Sequence, residues 1–511
     1  MHISSLPSRY GIGKLGKHAF DFVDFLEECG MSCWQVLPLN PTSFGDSPYQ
    51  SFSVFAGNPY FIDFETMNSE GLIKKSDYDE IKWQDNERQV NYSKLYGNVY
   101  KIMTKAYNSF RKDYTPKFEA FEADNALWLD DYALYMALKT KNNGKPWYEW
   151  DKKLAIRDET AIESAKKELE GDIEMFKFIQ FVFHKQWKVL KAYANAKGIE
   201  IIGDTPIYAA YDSADVWANP SLFALDKKLV PTEVAGCPPD DYSPTGQLWG
   251  NPVYNWDEHK KQGYSWWIER LRHASVIYDT VRIDHFRGFE SYYTIPFGSK
   301  TAEKGKWKKG PDIELFKAAE EKLGKLNVIA EDLGFITPEV RTLLDKTGFP
   351  GMKVLQFGFD SPASEHLPHN FKTHNCVAYT GTHDNDTLKG WAYSLEEKEL
   401  SFCKKYLDIN KKRDIPAYML RCAWSSVADI AIAQIQDFFE LDSSARMNTP
   451  STIGTNWMFR AKNEDFTPKL IKRIVKLNKL YNRYVQKKTE PETEEKPQAK
   501  KETKSTAKTV K

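Results

Sequence analysis

The feature that most constrains this chain is a recurring one: a short apolar run that closes on a carboxylate. Residues 199–203 (IEIIG) run into Asp204, 281–283 (VRI) into Asp284 and 327–330 (NVIA) into Glu331. Residues 352–359 (MKVLQFGF) run into Asp360, 377–383 (VAYTGTH) into Asp384 and 431–436 (AIAQIQ) into Asp437, while 32–37 (SCWQVL) stops at Pro38. Apolar runs of this length suit strands buried on both faces. Helix-patterned stretches lie between several of them. In 17–29, Phe20, Val23, Phe25 and Leu26 fall at helical spacing and Gly30 follows as a stop; 264–278 and 338–346 read similarly. Strand, helix, strand, repeated, predicts a parallel sheet. Counting residues 1–4 as a remnant first strand gives about eight strands, and a β/α barrel keeps its active site where polar residues gather at the C-terminal strand ends. The expected fold is α/β, a TIM (β/α)8 barrel. An open, doubly wound sheet shares the same local pattern.

Two regions break the rhythm. Residues 63–185 are long, charged and helix-patterned, and read as a helical insertion subdomain; 294–312 (TIPFGSKTAEKGKWKKGPD) read as a loop insertion. The catalytic barrel is thus expected to span 1–484. From 485 to 511 the chain turns to Lys, Glu, Thr and Pro, and this tail is expected to be disordered.

Charge and cysteine usage exclude whole classes of function. Lys and Arg number 71, Asp and Glu 71, so there is no electrostatic footprint for nucleic acid or an anionic membrane surface. No run of 18 apolar residues suggests a membrane span, and no basic segment precedes an apolar stretch at the N-terminus, so a cytoplasmic location is expected. Six Cys in 511 residues make no disulfide framework and read as thiols in a reducing compartment.

Several motifs can be set aside. Gly11 to Gly16 (GIGKLG) matches the dinucleotide fingerprint, but no strand leads directly into it and the next apolar run ends at Pro38, not at an acid. His366, His369 and His374 lie close together without a metal-ligand pattern, so no metal and no cofactor are expected. No G-x-S-x-G elbow exists.

The carboxylates at the ends of the apolar runs remain. Asp284 sits between Arg282 and Arg287, and fixed positive charge favours the ionised form that a nucleophile needs. Glu331 directly follows an apolar run, and a desolvated Glu keeps the proton that a general acid needs. Asp384, beside His383, offers a third acid. Two carboxyls with opposed protonation are what glycoside chemistry requires. Aromatic residues make up 14% of the chain, and residues 238–256 concentrate Tyr242, Trp249, Tyr254 and Trp256 among Pro and Gly, as rings that stack on sugars would be. Residues 47–53, with Tyr49, form a second such platform.

Taken together, HISSLPSRYGIGKLG, DSPYQSFSVFAGNPYFID, GDTPIYAAYDSADVWANP, PPDDYSPTGQLWGNPVYNW, VRIDHFRGF, IAEDLG, TGTHDNDTLKGW and ARMNTPSTIGTNW resemble the 4-alpha-glucanotransferases of glycoside hydrolase family 77, in order from residue 2 to 457. The resemblance implies a barrel with helical insertions and a transferase that moves segments of α-1,4-glucans with retained configuration. It implies Asp284 as nucleophile, Glu331 as acid/base and Asp384 as transition-state stabiliser. Arg282 would orient Asp284, His383 would contact the same sugar, and Tyr49, Asp204 and Trp249 match substrate-subsite positions. The 238–250 stretch matches the family's lid loop. The implied partners are maltooligosaccharides and starch or glycogen chains; oligomeric state stays open. The family has an apolar stretch before HISSLPS, whereas this sequence starts at Met1-His2, so a clipped first strand is expected.

Overall fold

The computed structural model describes residues 1–112, 115–240 and 243–486. Residues 487–511, most of the tail expected to be disordered, lie outside them, as does Tyr242. Eleven strands run along the described residues: β1 (Cys33–Gln35), β2 (Glu200–Thr205), β3 (Glu233–Cys237), β4 (Gln247–Pro252), β5 (Thr280–Ile283), β6 (Ser291–Pro296), β7 (Lys306–Lys309), β8 (Val328–Ala330), β9 (Gly351–Val354), β10 (Cys376–Tyr379) and β11 (Ile430–Ile432). Seven of them form one parallel sheet in the order β1-β2-β5-β8-β9-β10-β11, each position matching an apolar run of the sequence. The sheet curls into a nearly closed TIM barrel. Its interior is filled by Ile202, Ile329, Met352, Val354, Val377 and Tyr379, which is why these strands read as continuous rather than alternating.

Residues 1–4 do not form the remnant strand expected of them. Ile3–Ser5 is a 3-10 turn, and β1 and β11 are the two ends of the sheet order. The turn is fixed from two sides. The His2 Nδ1 accepts the Leu37 N–H at 3.2 Å, and the Ser4 carbonyl accepts the Gly13 N–H at 3.1 Å. The glycine-rich loop therefore packs on the N-terminal turn: a Cβ at Gly13 would lie 1.8 Å from the Ile3 carbonyl oxygen, and one at Gly16 would lie 2.3 Å from the Asp63 carboxylate. Glycine is used here for close approach of chain to chain, not of chain to phosphate.

Helices cover the barrel. Lys17–Cys29 ends in Gly30 at φ 70°, whose N–H returns to Glu27 and Leu26 carbonyls, as a C-terminal glycine stop does. Between β1 and β2 stand three long helices, Tyr92–Phe110, Pro116–Lys141 and Glu170–Ala196. They are pinned by aromatic contacts such as Phe110 to Phe178 at 4.7 Å and Phe110 to Phe118 at 5.3 Å. The helix Glu170–Ala196 also holds the chain ahead of it. Gln180 accepts the Gly57 N–H (2.7 Å) and donates to the Gly57 carbonyl (3.0 Å), and Gln186 does the same to Asp63 (2.7 and 3.2 Å). Both glutamines are buried. Gln180→Leu leaves one buried N–H and one buried carbonyl without partners, at about 1–3 kcal/mol each. Urea unfolding is expected to show a loss of about 2–6 kcal/mol; a loss under about 1 kcal/mol would mean that water reaches Gly57.

Residues 294–312 are not a plain loop. They carry the end of β6 and all of β7, in a four-stranded antiparallel sheet of order β4-β3-β6-β7. The signal was hidden by lysine: Lys306, Lys308 and Lys309 belong to the edge strand, where charge blocks further pairing. Tyr293 and Trp307 face each other across the pair at 5.2 Å, and Lys306 and Lys308 both reach Glu233. Part of the stretch 238–256 likewise forms β4. Among the described residues, no helix is long and apolar enough to cross a membrane.

Candidate active site

Strand register places the acids. Asp204 pairs with Arg282 across β2 and β5, and Ile283 pairs with Ala330 across β5 and β8. Asp284 and Glu331 therefore each stand one residue beyond the last paired position of neighbouring strands, at the C-terminal rim. Hydrogen bonding carries the register on: the Asp284 N–H donates to Thr205 (3.0 Å), Glu331 to Ile283 (3.1 Å) and Phe286 to Glu331 (3.1 Å). This is the end of a β/α barrel at which catalytic groups are carried.

Arg282 is buried between two carboxylates. Its Nη1 donates to both oxygens of Asp204 at 2.9 and 2.7 Å, and its Nη2 lies 3.0 Å from Asp284 Oδ1. A buried guanidinium is tolerable only with such partners. Arg287, the second guanidinium flanking Asp284 in sequence, does not face it. A 3-10 turn over Phe286–Phe289 swings Arg287 away to the Phe335 carbonyl and the Trp307 ring, 3.8 Å from the ring centroid. The expected charge clamp is thus one-sided.

Glu331 is held by backbone. Its Oε2 accepts the His285 N–H at 2.6 Å and its Oε1 the Leu333 N–H at 3.0 Å. His285 can donate in this way because it adopts a left-handed conformation, φ 50°. Its ring stands edge-on to Trp249 of β4, centroids 4.8 Å apart. Burial pushes Glu331 up to about 8, helped by the charge of Asp284 and opposed by Arg282 and the two N–H groups. Burial also pushes Asp284 up to about 6, against the pull of Arg282. The carboxyls interact strongly, so their protons leave as a pair, from Asp284 before Glu331.

The third acid lies across the rim. Tyr49 donates its hydroxyl to Asp204 (2.8 Å), and its ring stacks on His383 with centroids 4.9 Å apart and planes at 18°. The His383 Nε2 lies 3.4 Å from Asp384 Oδ1. Asp204, Arg282 and Asp284 thus form one polar chain, and Tyr49 joins it to His383 and Asp384. Trp249 reaches the site from the small sheet through His285.

Four residues with no role assigned from sequence complete the arrangement. Asn448 donates to Asp384 Oδ1 at 2.6 Å, Arg446 donates to the Asp384 carbonyl at 2.6 Å, and Trp457 lies 5.8 Å from His383 and 5.7 Å from Tyr49. The fourth is His285. The first three stand in ARMNTPSTIGTNW, a string that signalled family but not contact.

A family described as 4-alpha-glucanotransferase matches residues 1–465. A 4-alpha-glucanotransferase of Clostridium butyricum is 49% identical over 488 residues, covering 94% of this chain and 100% of that one. One of Thermus thermophilus is 45% identical over 479 residues, covering 92% and 95%. Among solved structures, the amylomaltase from Streptococcus agalactiae in complex with acarbose is similar with a TM-score of 0.92 at 42% identity, covering 95% of this chain and 98% of that one. A family match over most of the chain, relatives near half identical along their length and a shared barrel make this chain a member of the 4-alpha-glucanotransferase family, glycoside hydrolase family 77.

Proposed function

We propose that this 4-alpha-glucanotransferase acts on α-1,4-glucans by double displacement, with Asp284 as nucleophile and Glu331 as acid/base. The observation that carries the assignment is the pair itself: two carboxyls on adjacent strand ends, one beside a buried guanidinium and one held protonated by burial. Glu331 protonates the glycosidic oxygen while ionised Asp284 attacks the anomeric carbon. The shorter glucan leaves. Ionised Glu331 then takes the proton of an acceptor's 4-hydroxyl, whose oxygen displaces Asp284, so configuration is retained. Asp384, His383 and Tyr49 bind hydroxyls of the reacting sugar and its neighbours, buried Asp204 fixes Tyr49 and Arg282 beneath that subsite, and Arg282 orients Asp284. The acarbose bound by the Streptococcus agalactiae amylomaltase supports an oligosaccharide occupant for the same cleft.

Maltotriose tests the reading. Transfer yields longer maltooligosaccharides together with glucose; hydrolysis products alone would replace transfer by hydrolysis, and no product would overturn the catalytic reading. The pH profile of kcat/KM is expected to be bell-shaped. The rate rises through about 6 as Asp284 ionises and falls through about 8 as Glu331 loses its proton. A profile flat from pH 5 to 9 would separate these carboxyls from the chemistry. Trp249 offers an aromatic face on which an acceptor can displace water. Stacking of about 0.5–1.5 kcal/mol predicts that Trp249→Ala raises the ratio of glucose release to transfer by about 2- to 12-fold. An unchanged ratio would leave acceptor selection to other groups.

A further inference from the structure

Three separate segments bring aromatic rings to the surface side by side. Tyr148, in the turn Trp147–Glu149, lies flat on Tyr211 from the chain after β2, with centroids 4.4 Å apart and planes at 6°. Phe297, the residue after β6, meets Tyr211 edge-on at 6.3 Å. Tyr148 is 44% exposed and Phe297 48%. The rings are supported from beneath. Buried Trp147 stands edge-on to both tyrosines, at 5.7 and 5.4 Å, and donates its indole N–H to the Tyr211 carbonyl at 2.7 Å. The Tyr211 hydroxyl is fixed on the Leu229 carbonyl at 2.7 Å. A contiguous exposed apolar surface of a few hundred Å² is often functional.

At Phe297 the patch adjoins the small sheet that also borders the cleft. Glu233, at one end of β3, pairs with Pro296, the residue before Phe297. Cys237, at the other end, pairs with Gln247 of β4, the strand whose Trp249 meets His285 at the cleft. Four residue steps of strand separate the two ends, about 14 Å. The sheet thus links the rings to the cleft, and a glucan chain longer than the cleft is the occupant that this continuity suits.

We propose that Tyr148, Tyr211 and Phe297 form a second platform for α-glucan chains, engaging long polysaccharide outside the catalytic cleft. This rests on the glucan reading of the cleft above. Stacked tyrosines leave the outer face of Tyr148 open to the apolar face of a sugar. Two half-exposed rings and the more buried Tyr211 offer on the order of 300 Å² at most. That is well short of the roughly 800 Å² per partner of a stable protein interface, so a second copy of this chain fits the patch poorly.

The double variant Tyr148→Ala/Phe297→Ala tests the platform, since neither ring touches a side chain of the cleft described above. With glycogen as donor, KM is expected to rise at least about fivefold, while kcat/KM on maltotriose changes by less than about twofold. Retardation of the wild-type chain in native gels containing glycogen is expected to be lost in the variant. An unchanged glycogen KM, or an equal change with both donors, overturns the proposal. So does a wild-type dimer that becomes a monomer in the variant. Failure of the wild-type chain on maltotriose would sink the catalytic reading instead, and gel retardation would still decide the platform.

Discussion

An Asp284→Asn chain is expected to lose transfer from maltotriose by a factor on the order of 10⁴ or more, the scale on which a covalent nucleophile's removal is felt. The amide matches the carboxylate in size, and Arg282 keeps both hydrogen bonds to Asp204, so the fold and glucan binding survive. A second readout separates lost chemistry from damage. Asp284 is one of the groups that raise Glu331. Without that charge, Glu331 should release its proton at a lower pH, visible as a shift of its carboxyl resonance in a pH titration by carbon NMR. Residual transfer within tenfold of wild type would remove Asp284 from the mechanism.

Glu331→Gln should cost about 10²–10⁴ in kcat/KM on maltotriose, the range for a general acid. The loss depends on the leaving group. A maltosyl fluoride needs no proton on departure, so its first step is preserved, while the second step lacks its base. The glycosyl–enzyme ester on Asp284 should accumulate and appear as a mass increment on the intact chain. The alkaline limb of the pH profile should vanish. Equal loss with fluoride and with maltotriose would mean that Glu331 does not protonate the leaving oxygen.

The barrel was legible because its strands are buried on both faces, which writes each of them as an uninterrupted apolar run. Lys17–Cys29 was readable to the residue because the left-handed Gly30 ends it. The N-terminal turn was not, because His2 and Gly13 decide its shape from outside the segment. The small sheet was hidden for the opposite reason to the barrel: its edge is written in lysines. In the site, Asp284 and Glu331 were visible as residues that end apolar runs on neighbouring strands. Arg287 misled because a turn, not a strand, follows Asp284. Asn448 and Arg446 meet Asp384 from more than 60 positions away, a separation that no local pattern encodes.

Arg282 divides one guanidinium between Asp204 and Asp284, the nucleophile proposed above. Its hold on Asp204 and its hold on Asp284 cannot be adjusted separately. Substitution of Asp204 would redistribute that charge and retune Asp284, and Lys at 282, a point charge without a fork, could not serve both neighbours at once. Selectivity and turnover in this scaffold are therefore expected to drift together under mutation, so engineering should begin at the small sheet, which leaves this shared cation untouched.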